Sequence, residues 1–212
     1  YDPGRKQELN RLFAVITTNE TSFFRNPPQL EVFRNHVLPE IAKRQDKKKY
    51  LRIWSAGCST GEEPYTIAII FHEFFGNSLG FWDIKITAND LSEAVLMSAK
   101  RGIYTDYTLR NTPKAYLERY FDKEGKRTYK VKPKLREMID FETINLSDRF
   151  QLKKVVQNHV IFCRNVIIYF DEEMKKKVIN CFYDNLTSGG YLFIGHSESL
   201  HHVSRAFRPQ HY

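Results

Sequence analysis

The 212-residue chain carries 33 Lys+Arg against 25 Asp+Glu, a formal net charge of +8, with 42% hydrophobic and 14% aromatic residues. This composition can fill the core of one domain and excludes a disordered or low-complexity chain, and no apolar run approaches the ~20 residues that cross a bilayer as a helix. The opening residues Tyr1-Asp2-Pro3-Gly4-Arg5 contain no basic-then-apolar leader, and the scattered Cys58, Cys163 and Cys181 suit neither a disulfide framework nor a zinc ribbon, so a soluble cytoplasmic protein is expected.

In chain order, the first basic cluster is Lys43-Arg44 with Lys47-Lys48-Lys49. The segment 50–55 then reads as a buried strand, 64–75 as an amphipathic helix with Tyr65, Ile67, Ala68, Phe71 and Phe75 on its apolar face, and 83–88 as a second strand. A helix over 91–101 is expected to start on Ser92 and Glu93 capping chemistry and to stop at Gly102. This β-α-β-α rhythm belongs to a doubly wound parallel sheet.

The rhythm breaks at 122–141, where the turn signal Asp122-Lys123-Glu124-Gly125 precedes alternating apolar and charged residues, the pattern of an antiparallel hairpin. The second basic cluster, Lys126, Arg127, Lys130, Lys132, Lys134 and Arg136, lies in it. A strand at 160–163, a helix over 171–186 carrying Lys175-Lys176-Lys177, a stop at Gly189-Gly190 and a strand at 191–195 restore the α/β rhythm. Each basic cluster alone is an ordinary solvated face. Together they favour an acidic partner, a protein ahead of a nucleic acid, because RNP-like aromatic spacing and a helix-turn-helix signature are both missing.

The chemistry concentrates at strand ends. Ala56-Gly57-Cys58-Ser59-Thr60-Gly61-Glu62-Glu63-Pro64 is a small-residue loop opening a helix, placed where open α/β sheets bind ligand. It matches neither the Walker A nor the G-x-G-x-x-G spacing. Glu62 and Glu63, at a helix N-terminus, would repel a phosphate and welcome a cation, which points to S-adenosylmethionine, a nucleoside with an ammonium group and no phosphate. Asp90, at the tip of the second strand and 29 residues beyond Gly61, suits a ribose diol, with a helix cap as the plain alternative. Cys58 and Cys163 have no activating base nearby in sequence and read as small packing residues. His196, His201 and His202 lack any ligand spacing for a metal, so no metal is expected.

Four strings, TTNETSFFRN at 17–26, WSAGCSTGEEPYTIA at 54–68, FCRNVIIYF at 162–170 and GHSES at 195–199, resemble in order and spacing the chemotaxis receptor methyltransferases, the CheR family. The resemblance runs from about Asn10 to Pro209. It implies a Rossmann-like α/β domain dependent on S-adenosylmethionine over 17–212, with a small antiparallel β-subdomain inserted at about 111–140. Residues 1–16 would then be the remnant of a helical N-terminal domain that is otherwise absent. Two departures from the family pattern stand out: that truncation, and Gln157-Asn158-His159 where a Phe-Asp pair is common.

Position by position, the resemblance implies cofactor contacts from Asn19, Thr21 and Arg25, from Gly57 and Glu63 rather than Glu62 in the glycine loop, and from Asp90 on the ribose. Asn145 and Leu146 would flank the adenine, with Arg164 and Asn165 beside them. Arg25 and Tyr169 would stand next to the methyl-transfer centre. The implied activity is glutamate O-methylation of chemoreceptors, yielding glutamyl methyl esters and S-adenosylhomocysteine. The implied partners are receptor cytoplasmic helices, with a receptor C-terminal tail on the β-subdomain as a further option, and the chain would act as a monomer. A carboxylate acceptor with a free pKa near ~4.3 is already ionised at neutral pH and needs no general base. Two other readings remain open at this stage: a methyltransferase for a nucleic acid or another acidic substrate, and a regulatory scaffold that binds S-adenosylmethionine without turnover.

Overall fold

The computed structural model describes residues 20–152 and 155–212. A five-stranded sheet forms its centre, built from β1 (Tyr50–Ala56), β2 (Asp83–Asp90), β6 (Ile139–Thr143), β7 (Asn158–Cys163) and β8 (Leu186–Ile194) in the spatial order β6-β2-β1-β7-β8. Every neighbouring pair is parallel. Because parallel strands are covered on both faces, alternate residues feed two separate cores. Leu51 and Ile53 of β1 and Val160 and Phe162 of β7 join one cluster with Phe33 and Phe71. Trp54 and Ala56 of β1 and Ile161 and Cys163 of β7 join the other with Val178 and Phe182.

The larger core lies beneath α1 and α2. Helix α1 runs through Pro27–Val32, a π-helical turn at Phe33–Val37 and Leu38–Arg44. Leu38 N–H reaches back five residues to the Phe33 carbonyl, a register shift immediately ahead of Pro39, which has no N–H to give to the ladder. Helix α2 spans Glu62–Phe75, with Pro64 tolerated in its first turn. On the opposite face α6 (Glu172–Asp184) begins on Asp171, whose side chain accepts from Met174 N–H at 2.8 Å.

Helix α3 begins at Glu93, later than expected, and Ser92 makes no side-chain cap. The Ser92 N–H donates instead to Asp90 Oδ1 at 3.0 Å. Gly102 ends α3 in the left-handed region at φ 66°, as its place after the last apolar position requires.

The departure from α/β rhythm is a separate three-stranded antiparallel sheet, order β3-β5-β4, made of β3 (Ile103–Thr105), β4 (Phe121–Lys123) and β5 (Thr128–Val131), with α4 (Lys114–Tyr120) between β3 and β4. The expected hairpin pairs β4 with β5. It does not extend to 141, because a short α5 (Pro133–Arg136) intervenes and β6 has joined β2 in the main sheet. Gly189-Gly190 does not stop the chain either. β8 runs through both glycines, and the irregularity appears as a register shift against β7 between Asn158 and Val160.

The basic run of 126–136 is matched by nearby acids: Arg127 with Asp106 at 3.2 Å, Lys130 with Glu124 at 3.1 Å and Lys132 with Asp122 at 3.8 Å. Among the described residues no helix is long and apolar enough to cross a membrane.

Candidate functional site

The direction of strand order reverses between β1 and β7, which places a crevice at their carboxyl ends. The chain leaves β1 into the loop 57–61, β2 ends at Asp90, β6 leads to 144–147 and β7 leads to 164–169. These four segments, with residues 20–25, enclose a cavity of about 520 Å³, within the span of about 300–1,000 Å³ usual for small-molecule sites.

The glycine loop needs its glycine at the point of closest approach. Gly57 has φ +77°, and a Cβ there would stand 2.5 Å from Val166 Cγ2, so the β1 and β7 loops can meet only without a side chain. Ser59, Phe24, Asn26 and Asn165 also have positive φ without being glycine. All four sit in segments that border the cavity, where packing holds the backbone in conformations it does not prefer.

Asn89 ties the loops together. Its side chain accepts from Trp54 Nε1 at 2.6 Å and donates to the Ile144 carbonyl at 3.0 Å. Its own carbonyl accepts from Gly57 N–H at 2.9 Å and Cys58 N–H at 2.8 Å. The ends of β1, β2 and β6 are thereby pinned to one buried amide. Asp90, next along, accepts Ser59 N–H on Oδ2 at 2.9 Å and Ser92 N–H on Oδ1. Burial pushes its carboxyl above the ordinary range, opposed by these backbone donors. Asp90 is therefore both a tether for the α3 entry and a lining group of the cavity.

The two glutamates of the loop part company. Glu62 is buried and accepts from Thr60 Oγ1 at 2.6 Å, and burial raises its pKa. It does not reach the cavity wall. Glu63 does, accepting from Ser55 Oγ at 2.7 Å and pairing with Arg164 NH1 at 3.3 Å. The expected repulsion of phosphate by a pair of carboxylates is thus corrected. One charge is turned into the core and the other is balanced by a guanidinium, because residues adjacent in a helix lie about 100° apart around its axis.

Arg164 is a tether as much as a lining group. Its NH2 donates to the Arg25 carbonyl at 2.6 Å, so a single buried side chain joins the β7 loop to α2 and to the segment 20–25. Arg25 lines the cavity and donates from NH1 to the Glu20 carbonyl at 3.0 Å.

Thr21 also lies on the wall, as do Asn145 and Leu146 after β6 and Asn165 and Tyr169 after β7. Tyr169 is half exposed, and its hydroxyl has no hydrogen-bond partner among the described residues. Asn19 lies outside the described residues. Sequence reasoning passed over three residues. Ser59 has a buried hydroxyl without a partner in the described structure, Asn89 stood beside Asp90 without a role, and Glu198 was present only within the GHSES string. Burial, followed by the charges of Asp90 and Glu63, drives the Cys58 thiol well above its ordinary pKa, and burial does the same to Cys163. Neither is a nucleophile at neutral pH.

The family model for the CheR methyltransferase SAM-binding domain matches residues 19–211. The chain belongs to the CheR family. Chemotaxis protein methyltransferase 2 of Vibrio cholerae is 36% identical over 206 residues, covering 97% of this chain and 71% of that protein. Chemotaxis protein methyltransferase 1 of Pseudomonas aeruginosa is 39% identical over 201 residues, covering 93% and 70%. The chemotaxis protein methyltransferase of Borreliella burgdorferi is 38% identical over 196 residues, covering 91% and 69%. This CheR domain is accordingly an S-adenosylmethionine-dependent methyltransferase of chemotaxis.

The CheR cavity fits that cofactor by its own chemistry. Asp90 retains lone pairs beyond the two given to backbone, the Ser59 hydroxyl and Arg164 Nε are buried with no partner in the described structure, and Leu146, Phe170 and Met174 supply an apolar wall.

Proposed function

We propose that this domain transfers the methyl group of S-adenosylmethionine to glutamate side-chain carboxylates of chemoreceptors, producing glutamyl methyl esters and S-adenosylhomocysteine for sensory adaptation. One observation carries the choice of acceptor. Among the described residues the cavity wall contains neither histidine nor lysine, and its one cysteine is a buried thiol with a raised pKa. A wall without a base that titrates near neutrality suits an acceptor that is already an anion.

S-adenosylmethionine, when bound, supplies an electrophilic methyl group on a sulfonium. The chain's own task is to hold, orient and keep dry. Asp90 would accept from the ribose hydroxyls, Asn145 and Leu146 would flank the adenine, and Glu63 with Thr21 and the unpartnered groups of Ser59 and Arg164 would hold the amino-acid end. Arg25 and Tyr169 stand on the wall as the two donors for an incoming carboxylate. The guanidinium would supply charge, and the Tyr169 hydroxyl would hold one oxygen of the acceptor carboxylate. The small sheet β3-β5-β4 with the adjoining α5, which together carry the basic run of 126–136, is the part that meets the receptor.

Radiolabelled methyl transfer to receptor cytoplasmic fragments, followed by alkaline release of methanol, tests the reading, since esters are base-labile and amines and ethers are not. Label that resists base, or transfer to nucleic acid in preference to receptor, overturns it. Tyr169→Phe should lower kcat about tenfold with S-adenosylhomocysteine affinity nearly unchanged.

A further inference from the structure

β7 ends at Cys163, and the chain then turns through Asn165, whose φ of 61° is left-handed. This turn carries Arg164, Asn165 and Tyr169 to the cavity wall. Its inner backbone donors leave the cavity and converge on one side chain. Asn165 N–H donates to Glu198 Oε2 at 2.9 Å, and Ile168 N–H donates to Glu198 Oε1 at 3.2 Å. Gly195 N–H, at the end of β8, adds a bond to Oε2 at 2.6 Å, while Glu198 N–H returns to the Gly195 carbonyl at 2.9 Å. Glu198 is not itself part of the wall.

All three groups facing this carboxylate are donors, so the position requires a pure two-oxygen acceptor. A glutamine of the same length would set its NH₂ against a backbone N–H. Arg164 is held independently by Glu63 and the Arg25 carbonyl. The part of the turn that depends on Glu198 is therefore its far end, 165–169, where Tyr169 sits on a single 3₁₀ turn at Ile167–Tyr169.

We propose that Glu198 is a positioning residue for methyl transfer, its two carboxylate oxygens stapling the turn 165–169 so that the Tyr169 hydroxyl is presented to the acceptor. This rests on the role given to Tyr169 above. Glu198→Gln should lower kcat about tenfold, leave the S-adenosylhomocysteine dissociation constant within about threefold, and make Tyr169→Phe nearly silent, costing less than about twofold in that background. Amide hydrogen exchange at Asn165 and Ile168 should quicken while that of β1 stays protected. Glu198→Asp, which keeps the acceptor chemistry one methylene short, should fall between wild type and Gln in kcat, and it serves as the test if Gln does not fold. Losses that multiply in the double variant overturn the proposal, as do a wild-type kcat in Glu198→Gln and a loss of cofactor-product affinity as large as the loss of kcat. A silent Tyr169→Phe in the wild-type background overturns the Tyr169 reading instead, so the two failures are separable in one assay.

Discussion

Asp90 makes two backbone hydrogen bonds and also lines the cavity, so its removal has two consequences that can be measured apart. A carboxylate offers about four lone-pair sites. Ser59 and Ser92 N–H groups occupy two, with the Leu91 N–H drawing on the carboxylate as well, which still leaves acceptor capacity for a ribose hydroxyl. A hydrogen bond to a charged group contributes about 1.5–3 kcal/mol, and part of that is returned to water when the ligand leaves. Asp90→Ala is therefore expected to weaken S-adenosylhomocysteine binding by about 1–3 kcal/mol, or about 5- to 150-fold in dissociation constant. The same change frees the Ser59 and Ser92 N–H groups and should lower the stability of the ligand-free protein by about 0.5–2 kcal/mol, the range for losing a helix cap.

Titration calorimetry with S-adenosylhomocysteine reads the first effect, and urea unfolding without ligand reads the second. Because burial raises the Asp90 pKa and a diol donates more strongly to the ionised carboxylate than to the protonated one, affinity should also decline as pH falls through that raised value, at a pH above the free aspartate range near ~3.9. A folded Asp90→Ala that is less stable but binds with an unchanged dissociation constant would reduce Asp90 to a tether for the glycine loop and α3.

Three further outcomes are expected. Burial raises the Glu62 pKa, so the folded protein keeps that proton to higher pH than the unfolded chain and loses stability as pH rises through the window between the two values; Glu62→Gln should melt above wild type at pH 7 by calorimetry, with the gap closing below about pH 4.3. Gly57→Ala meets Val166 and a φ of +77°. It should lose cofactor-product binding and stability together, and Val166→Ala in the same chain should relieve the clash while leaving the backbone term of about 1–2 kcal/mol. Neutralising Lys130, Lys132 and Arg136 should raise the apparent KM for receptor and flatten its salt dependence in the methyl-transfer assay, with kcat held. The two lysine–acid pairs are exposed and contribute little to stability, so any fall in stability should come from the bonds of Arg136 to the Lys100 carbonyl and of Lys132 to the Glu118 carbonyl.

The periodicities of residues 50–101 carried the first half of the main sheet. A short, largely apolar strand, followed by a helix with an apolar face and a second such strand, has few ways to bury its surface other than a parallel layer covered on both sides. The strand-tip loops were legible for the same reason, since small residues and a lone acid at the carboxyl ends of such strands have a place in the architecture before any contact is known. The strings added Arg25 and Tyr169, and the family resemblance they carry added Asn145 between them, side chains that are unremarkable in isolation.

Other features depended on which segments became neighbours. Three-residue β3 carries no periodic signal and exists because β5 pairs with it. Gly189 and Gly190 read as a break, yet pairing with β7 carried β8 through them. Adjacent Glu62 and Glu63 are chemically identical in sequence, and only the packing of α2 against β1 and the arrival of Arg164 from 101 residues away turned one inward and paired the other. Glu198 lies 33 residues from Asn165. Its carboxylate became the acceptor for the turn after β7 because β8 settled alongside β7. Local spacing determines which residues share a face, whereas the partner of each polar group is chosen by chain segments far apart in sequence, and only the closed fold brings those together.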